Sequence, residues 1–365
     1  MRDALPSHPL TGYGWNEMVE SLFAVHLADG LLPGRVLVER RGSYVVMTPG
    51  GEIDAAVSGR FRYQAIDGED YPAVGDWVAL RVAPDELAVI HAVAPRQSRF
   101  ARPARGDLAG AQVVAANIDL VFIVVGLDHD FNLRRLERCL APSWSSGAET
   151  GILLNKADVC ADVGERLADV RSVAPGVPVY VMTARQGDGI EALWPLLEAG
   201  RTVALLGSSG VGKSTIVNAL LGWERQAVGD VRPDDQRGRH TTTARELLPI
   251  LSGALLIDSP GMRSVGMWAA EDGLGSTFAD VDAFAAQCRF SDCAHGAEPG
   301  CAVRAAIAEG SLPAQRLHSR QKLERELASI ERRRSPDKAE LRRAGRRMTK
   351  FVRNRMRSKY GDDVA

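Results

Sequence analysis

Two rhythms of hydrophobic and polar positions divide the chain. Between residues 35 and 95, short β-rich runs alternate with turn signals. These are 35-RVLVER-40, 44-YVVMT-48, the turn Pro49-Gly50-Gly51, then 52-EIDAAVSGRF-61, 76-DWVALRV-82 and 87-LAVIHAV-93. Five such runs in about sixty residues predict a small closed barrel. The pattern fits an OB-type barrel, a fold that binds oligonucleotides, and an SH3-like barrel equally well. From residue 113 the rhythm changes to near-continuous apolar strands, at 118-IDLVFIVVG-126, 151-GILLN-155, 177-VPVYVMTA-184, 202-TVALLG-207 and 254-ALLID-258. Helical patterns separate them, at residues 132–144, 163–173, 190–197 and 214–222. Strands of this kind joined by helices predict an α/β domain whose parallel sheet is covered on both faces. Beyond about residue 270 a third region holds a Cys/His cluster and then 314-AQRLHSRQKLERELASIERRR-334, which has helical charge patterning. Pro336 breaks it before a second basic helical pattern at residues 338–357.

Composition narrows the class. At 365 residues, 45% hydrophobic and 25% charged, the chain is that of a soluble globular protein with two or three domains. The first residues, MRDALPSHPLTGYGWNEM, hold no apolar core segment of the secretory kind. The longest apolar run, 120-LVFIVV-125, is too short to span a bilayer, so a cytoplasmic protein with no membrane partner is expected. Five cysteines, with Cys288, Cys293 and Cys301 grouped late, suit metal binding better than a disulfide framework. The net charge of −1 hides an asymmetry: from Ser311 onward there are 17 Lys/Arg against 7 Asp/Glu, a balance of +10. A basic tail on an acidic body points to a polyanionic partner.

Two motifs carry the candidate chemistry. Gly207-Ser208-Ser209-Gly210-Val211-Gly212-Lys213-Ser214-Thr215 follows an apolar strand and opens a helix, the context of a phosphate-binding P-loop. Lys213 would neutralise the β/γ-phosphates, and the Ser214 hydroxyl would bind Mg²⁺. Asp258, ending the strand 254-ALLID-258, would hold Mg²⁺ through a water, and Gly261 would bring a backbone N–H to the γ-phosphate. The second motif, Asn155-Lys156-Ala157-Asp158, also ends an apolar strand. Its Asp158 carboxylate can accept from guanine N1–H and the exocyclic amine, a donor pair that adenine lacks. Asn155 would tie this loop to the P-loop, the Lys156 stem would cover the base, and Thr183-Ala184 could offer a backbone N–H to guanine O6. The guanine motif precedes the P-loop by 52 residues, the reverse of the usual order. Ligand loops of a doubly wound sheet all lie at the carboxyl edge of its strands, so a circularly permuted chain still assembles one site. In 238-GRHTTTARE-246 either Thr241 or Thr242 would close over Mg²⁺ and the γ-phosphate. Met262 stands where many GTPases have the glutamine that orients the attacking water. His240 is then the nearest candidate for that task, and slow intrinsic hydrolysis is expected.

Cys288-x4-Cys293-x-His295-x5-Cys301 supplies three thiols and an imidazole within fourteen residues. Four soft donors suit a closed, structural, tetrahedral Zn²⁺ site, one per chain.

Together, the barrel, NKAD, GSSGVGKS, GRHTTT and DSPG in permuted order, and the Cys/Cys/His/Cys cluster resemble the ribosome small-subunit-dependent GTPases of the RsgA (YjeQ) family, over about residues 35 to 330. The resemblance implies an OB barrel (35–100), a circularly permuted P-loop GTPase domain (113–268) and a C-terminal zinc-binding helical domain (269–330). It constrains the N-terminal extension (1–34) and the basic tail (331–365) less. It further implies a GTP hydrolase, cycling between GTP and GDP as a monomer in late maturation of the 30S ribosomal subunit, with 16S rRNA as its contact. The alternative is an RNA-binding scaffold whose nucleotide site switches affinity with little turnover.

Overall fold

The computed structural model describes residues 8–82, 87–103, 111–222, 245–258 and 271–334. The first helix, α1 (Glu17–Ala28), starts where the Asn16 side chain accepts the Val19 N–H, and it buries Val19 and Phe23. These pack with Leu10, Trp15 and Trp77 on the outside of a barrel. The segment before residue 35, unassigned by patterning, thus contributes a helix and the start of the first strand. Strands β1 (Leu32–Arg40), β2 (Ser43–Thr48) and β3 (Gly51–Val57) form an antiparallel meander. The pattern carried the third strand on to Phe61. Instead the Ser58 hydroxyl accepts the Phe61 N–H at 3.0 Å and starts the short helix α2 (Gly59–Gln64), because a serine N-cap offers the backbone an acceptor that a strand does not. Strands β4 (Trp77–Arg81) and β5 (Ala88–Val93) complete the barrel. β5 runs parallel to β3, β4 runs antiparallel to β5, and β4 also pairs with β1. The closed order 1-2-3-5-4-1, with a helix between the third and fourth strands, is that of an OB barrel and decides between the two barrel types. A bulge between Val36 and Val38 bends β1 so that its first half closes the barrel while its second half leaves it. Val36, Val46, Val78, Leu80 and Ile90 fill the interior.

A hairpin follows, β6 (Arg99–Pro103) and β7 (Ala111–Ala116), then the α/β domain. Its elements are β8 (Leu120–Gly126), α3 (Leu133–Ser145), β9 (Glu149–Asn155), α4 (Val163–Val173), β10 (Val179–Val181), β11 (Thr202–Leu206), α5 (Lys213–Leu221), β12 (Arg245–Pro249) and β13 (Leu255–Asp258). The strands lie in the order 10-9-8-11-13-12, all parallel except β12. Residues 190–196, patterned as a helix, form a 3-10 helix interrupted by Pro195. Every residue of β8 is buried, and alternate side chains feed two cores. Val121 and Ile123 face α3 and α4 with Leu136, Leu140 and Val170, while Phe122 and Val124 face α5 with Ile216 and Leu220. β12 was not foreseen. It hydrogen-bonds to β13 on one side and, through Val38↔Glu246 and Glu39↔Arg245, to β1 on the other, so barrel and α/β domain share one eleven-stranded sheet.

The C-terminal part of the described chain is helical: α6 (Glu271–Thr277), α7 (Ala279–Ala285), α8 (Ala302–Ala308) and α9 (Ala314–Arg334). Phe278, Val281, Val303, Leu312, Leu323 and Leu327 form its small core, together with Ala141 from α3. At Gly273 a Cβ would collide with the Ala141 carbonyl oxygen, so glycine lets α6 lie directly on α3. Arg316 completes the join. Its guanidinium stacks on Phe278 and donates to Glu137 on α3 at 2.7 Å, to Asp280 at 2.7 and 2.8 Å, and to the Thr277 carbonyl at 2.8 Å. The second basic helix predicted at 338–357 lies outside the described residues.

Candidate nucleotide site and metal cluster

Among the described residues, the candidate nucleotide-site residues gather at the carboxyl edge of the parallel strands. The P-loop leaves β11 at Gly207, whose φ of 143° brings its Cα against the Val124 carbonyl, where a Cβ would collide. It ends at Gly212, the N-cap of α5, with φ of 95°. Ser208, Ser209, Gly210 and Val211 form the loop between them, and Ser214 and Thr215 lie in the first turn of α5, where free backbone N–H groups collect. Lys213 is buried, and its ammonium donates to the carbonyls of Gly207 (2.7 Å) and Ser208.

The base loop sits two strands away, after β9. Asn155 is buried, its Nδ2 donates to the Val211 carbonyl at 2.9 Å, and its Oδ1 accepts the Ala184 N–H at 3.0 Å. One side chain therefore joins three segments that lie far apart in sequence. Gly212 makes this possible, since a Cβ there would strike Asn155 Nδ2. The turn Ala157–Val159 is held by the Ala157 N–H donating to the Met182 carbonyl at 3.2 Å, and it leaves Asp158 exposed toward solvent. Thr183 and Ala184 are buried, and their N–H groups donate to the Asp188 carbonyl and to Asn155. The pair therefore braces the loop.

Lys156 has a left-handed backbone, φ 68°, and its ammonium meets Asp128 Oδ2 at 2.5 Å. Burial alone would raise the Asp128 carboxyl, but the Lys156 ammonium and the Asp130 N–H outweigh it and hold the group below the ordinary carboxylate range. Sequence patterning passed over Asp128. The available signal was its position just past the carboxyl end of an apolar strand, where ligand loops of such sheets lie. Cys139, on α3 near the P-loop, is pushed up to about 11 by burial and is a neutral thiol at physiological pH.

Asp258 ends β13, the strand next to β11, in the register Ala204↔Ile257. It thus stands beside the start of the P-loop, so the Ser214 hydroxyl and the Asp258 carboxylate offer hard oxygen donors at one edge, a donor set that fits Mg²⁺. His240, Thr241, Thr242, Gly261 and Met262 lie outside the described residues.

Cys288, Cys293, His295 and Cys301 bring their donor atoms within 4.8 Å of one another. Bonds of about 2.3 Å to sulfur and 2.0–2.1 Å to nitrogen at tetrahedral angles imply S···S near 3.8 Å and S···N near 3.6 Å. The observed Cys288–Cys301 separation is 4.0 Å, and His295 Nδ1 lies 3.7 and 3.5 Å from Cys288 and Cys301. Both the donor chemistry and the spacing fit a structural zinc site. Burial raises the Cys288 thiol, but the N–H groups of Val303 and Ala302 at the start of α8 lower it on balance, which favours the thiolate a metal takes.

Comparison with known proteins agrees with this geometry. Residues 93–268 match the family model of the RsgA GTPase. The small ribosomal subunit biogenesis GTPase RsgA of Opitutus terrae is 46% identical over 337 residues, covering 90% of this chain and 92% of the relative. RsgA 2 of Lactiplantibacillus plantarum is 47% identical over 82% of this chain and 84% of its own. Among solved structures, YjeQ from Thermotoga maritima aligns with a TM-score of 0.59 at 26% identity, covering 82% of this chain and 99% of that one. YloQ, described as a circularly permuted GTPase, shares the fold with a TM-score of 0.56 at 22% identity, covering 84% of this chain and 97% of its own. With a base loop that precedes its P-loop yet is bonded to it through Asn155, the chain belongs to the RsgA family of GTPases.

Proposed function

We propose that this GTPase acts in biogenesis of the small ribosomal subunit, binding GTP between the P-loop and the NKAD turn and engaging 16S rRNA. The observation that supports the nucleotide site is the Asn155 bridge, which bonds together two motifs met in reversed order along the chain. In that pocket Asp158 accepts from guanine N1–H and the exocyclic amine, the Lys156 stem lies along the base, and the amides from Gly207 to Ser214 face the phosphates. Lys213 exchanges its carbonyl partners for phosphate oxygens, placing a fixed positive charge where negative charge develops. Ser214 and Asp258 would hold Mg²⁺, which when bound neutralises charge on the β- and γ-phosphates. Cys288, Cys293, His295 and Cys301 would hold one zinc ion that staples a region with little core of its own. The attacking water is assigned to His240, since Met262 cannot orient it.

Multiple-turnover phosphate release, measured with and without purified 30S subunits, tests the reading. Stimulation by subunits is expected. Saturable GTP binding with no subunit-stimulated release would instead favour the scaffold whose nucleotide merely switches RNA affinity.

A further inference from the structure

The established activity leaves the Asp128–Lys156 pair without a role. We infer that Asp128 is a positioning residue for guanine recognition, fixing the far end of the Lys156 side chain so that its stem forms a preset wall of the base pocket. The inference rests on the proposed placement of guanine against the NKAD turn.

Lys156 is pinned at both ends. At its backbone, the β9 strand ends in Asn155, which is locked to Val211 and Ala184, and Lys156 itself is held in a left-handed conformation. At its tip, the ammonium meets Asp128 Oδ2 at 2.5 Å. Asp128 is itself fixed. Its Oδ1 accepts the Asp130 N–H at 3.2 Å, its carbonyl accepts the Phe131 N–H at 3.0 Å, and the neighbouring Leu127 N–H donates to the Asn155 carbonyl at 2.8 Å. The sheet order places β8 between β9 and β11. The Lys156 side chain therefore runs from the base loop across the end of β8, in the direction of the P-loop. Gly126 keeps that crossing shallow: a Cβ there would stand 3.0 Å from Asp128 Oδ1 and 3.7 Å from the Val211 Cα.

A lysine stem loses much rotamer freedom when it is ordered against a ligand. An ammonium already tied to a carboxylate meets that cost before the nucleotide arrives, so affinity gains by preorganisation. The pair is partly exposed, with 29% of the Lys156 and 17% of the Asp128 side chain open to solvent, so the expected effect is moderate. Because the contact concerns the base and not the phosphates, it acts alike on GTP and GDP. It should leave the chemical step untouched.

The test is equilibrium binding of fluorescent GDP and GTP to the full chain, with 30S-stimulated turnover measured in parallel. Asp128→Ala should weaken both nucleotides by about five- to twentyfold, raise KM to match and leave kcat within twofold. Asp128→Glu should restore most of the affinity, and Asp128→Asn should fall between. Lys156→Ala should weaken binding comparably, and the double variant should be no weaker than Lys156→Ala alone. If Lys156→Ala weakens binding while Asp128→Ala and Asp128→Asn do not, or if the two losses multiply, the positioning role is overturned and the base site stands. If Lys156→Ala leaves affinity unchanged, the reading of the base site itself fails. A fall in kcat at unchanged affinity would also refute the assignment, because it would place Asp128 in the chemical step.

Discussion

Arg316 offers the most direct probe of how the region of the Cys/His cluster is joined to the GTPase domain. Its side chain is 5% exposed and that of Glu137 is 4% exposed, whereas Asp280 is open by a third. Replacing Arg316 by methionine leaves Glu137 as an uncompensated charge inside the α3–α9 contact. Breaking a buried pair in this way costs about 3–5 kcal/mol. Glu137→Leu should cost only about 1.5–3 kcal/mol, because Arg316 keeps Asp280 and the Thr277 carbonyl, and one lost hydrogen bond to a charged group is of that order. The double variant Arg316→Met/Glu137→Leu removes both charges in favour of apolar volume. It should be more stable than Arg316→Met alone, by about 2 kcal/mol or more, since such replacement is often neutral or better. Hydrogen exchange of the amides in α6 to α9 reads the opening free energy of this region directly, and denaturant unfolding reads the global value. GDP affinity, measured alongside, should not change. A loss below about 1 kcal/mol for Arg316→Met, or strictly additive single and double variants, would refute the reasoning.

Three further outcomes follow from the proposed nucleotide and metal sites. Asp158→Asn turns an acceptor facing guanine N1–H into a donor, so competition assays should show GTP affinity falling and xanthosine triphosphate affinity rising; unchanged preference for GTP would contradict the base assignment. Lys213→Ala and Ser214→Ala each remove an electrostatic group of about 2.7–4 kcal/mol in the transition state, so stimulated turnover should fall at least a hundredfold, and near wild-type rates in either would sink the phosphate site. Elemental analysis should find one zinc per chain, lowered by Cys293→Ala with GTP binding retained, whereas metal-free wild-type protein would rule out the cluster as a zinc site.

What could be read from the sequence depended on whether local chemistry alone decided the outcome. The strands β8, β9, β11 and β13 are buried on both faces and therefore show as continuous apolar runs. α4 and α9 carry clear helical patterning and were placed over their observed ranges. By contrast, 245-RELLP-249 has no strand pattern and becomes one because β13 and β1 offer backbone partners on both sides. β6 and β7, with arginine, proline and alanine, are strands through their mutual pairing. α2 was missed although its signal, Ser58 three residues before Phe61, was present. The P-loop, NKAD and Cys/His motifs were legible because their chemistry needs fixed residue types at fixed spacing. Asp128 and Arg316 were not, since each acts on a residue 28 and 179 positions away, and no local rule links such distances.

The position of β8 between β9 and β11 has a consequence for synthesis on the ribosome. It is the first strand of its domain to emerge, and β9 can pair with it early, but its other neighbour is β11, which begins 76 residues after Gly126. At about 5–20 residues per second, β8 waits roughly 4 to 15 s with one hydrogen-bonding edge open. That edge is a wholly apolar strand, the kind most prone to pair with another chain. A GTPase in the ordinary chain order would make its P-loop strand first. In the permuted order the strand that waits is β8.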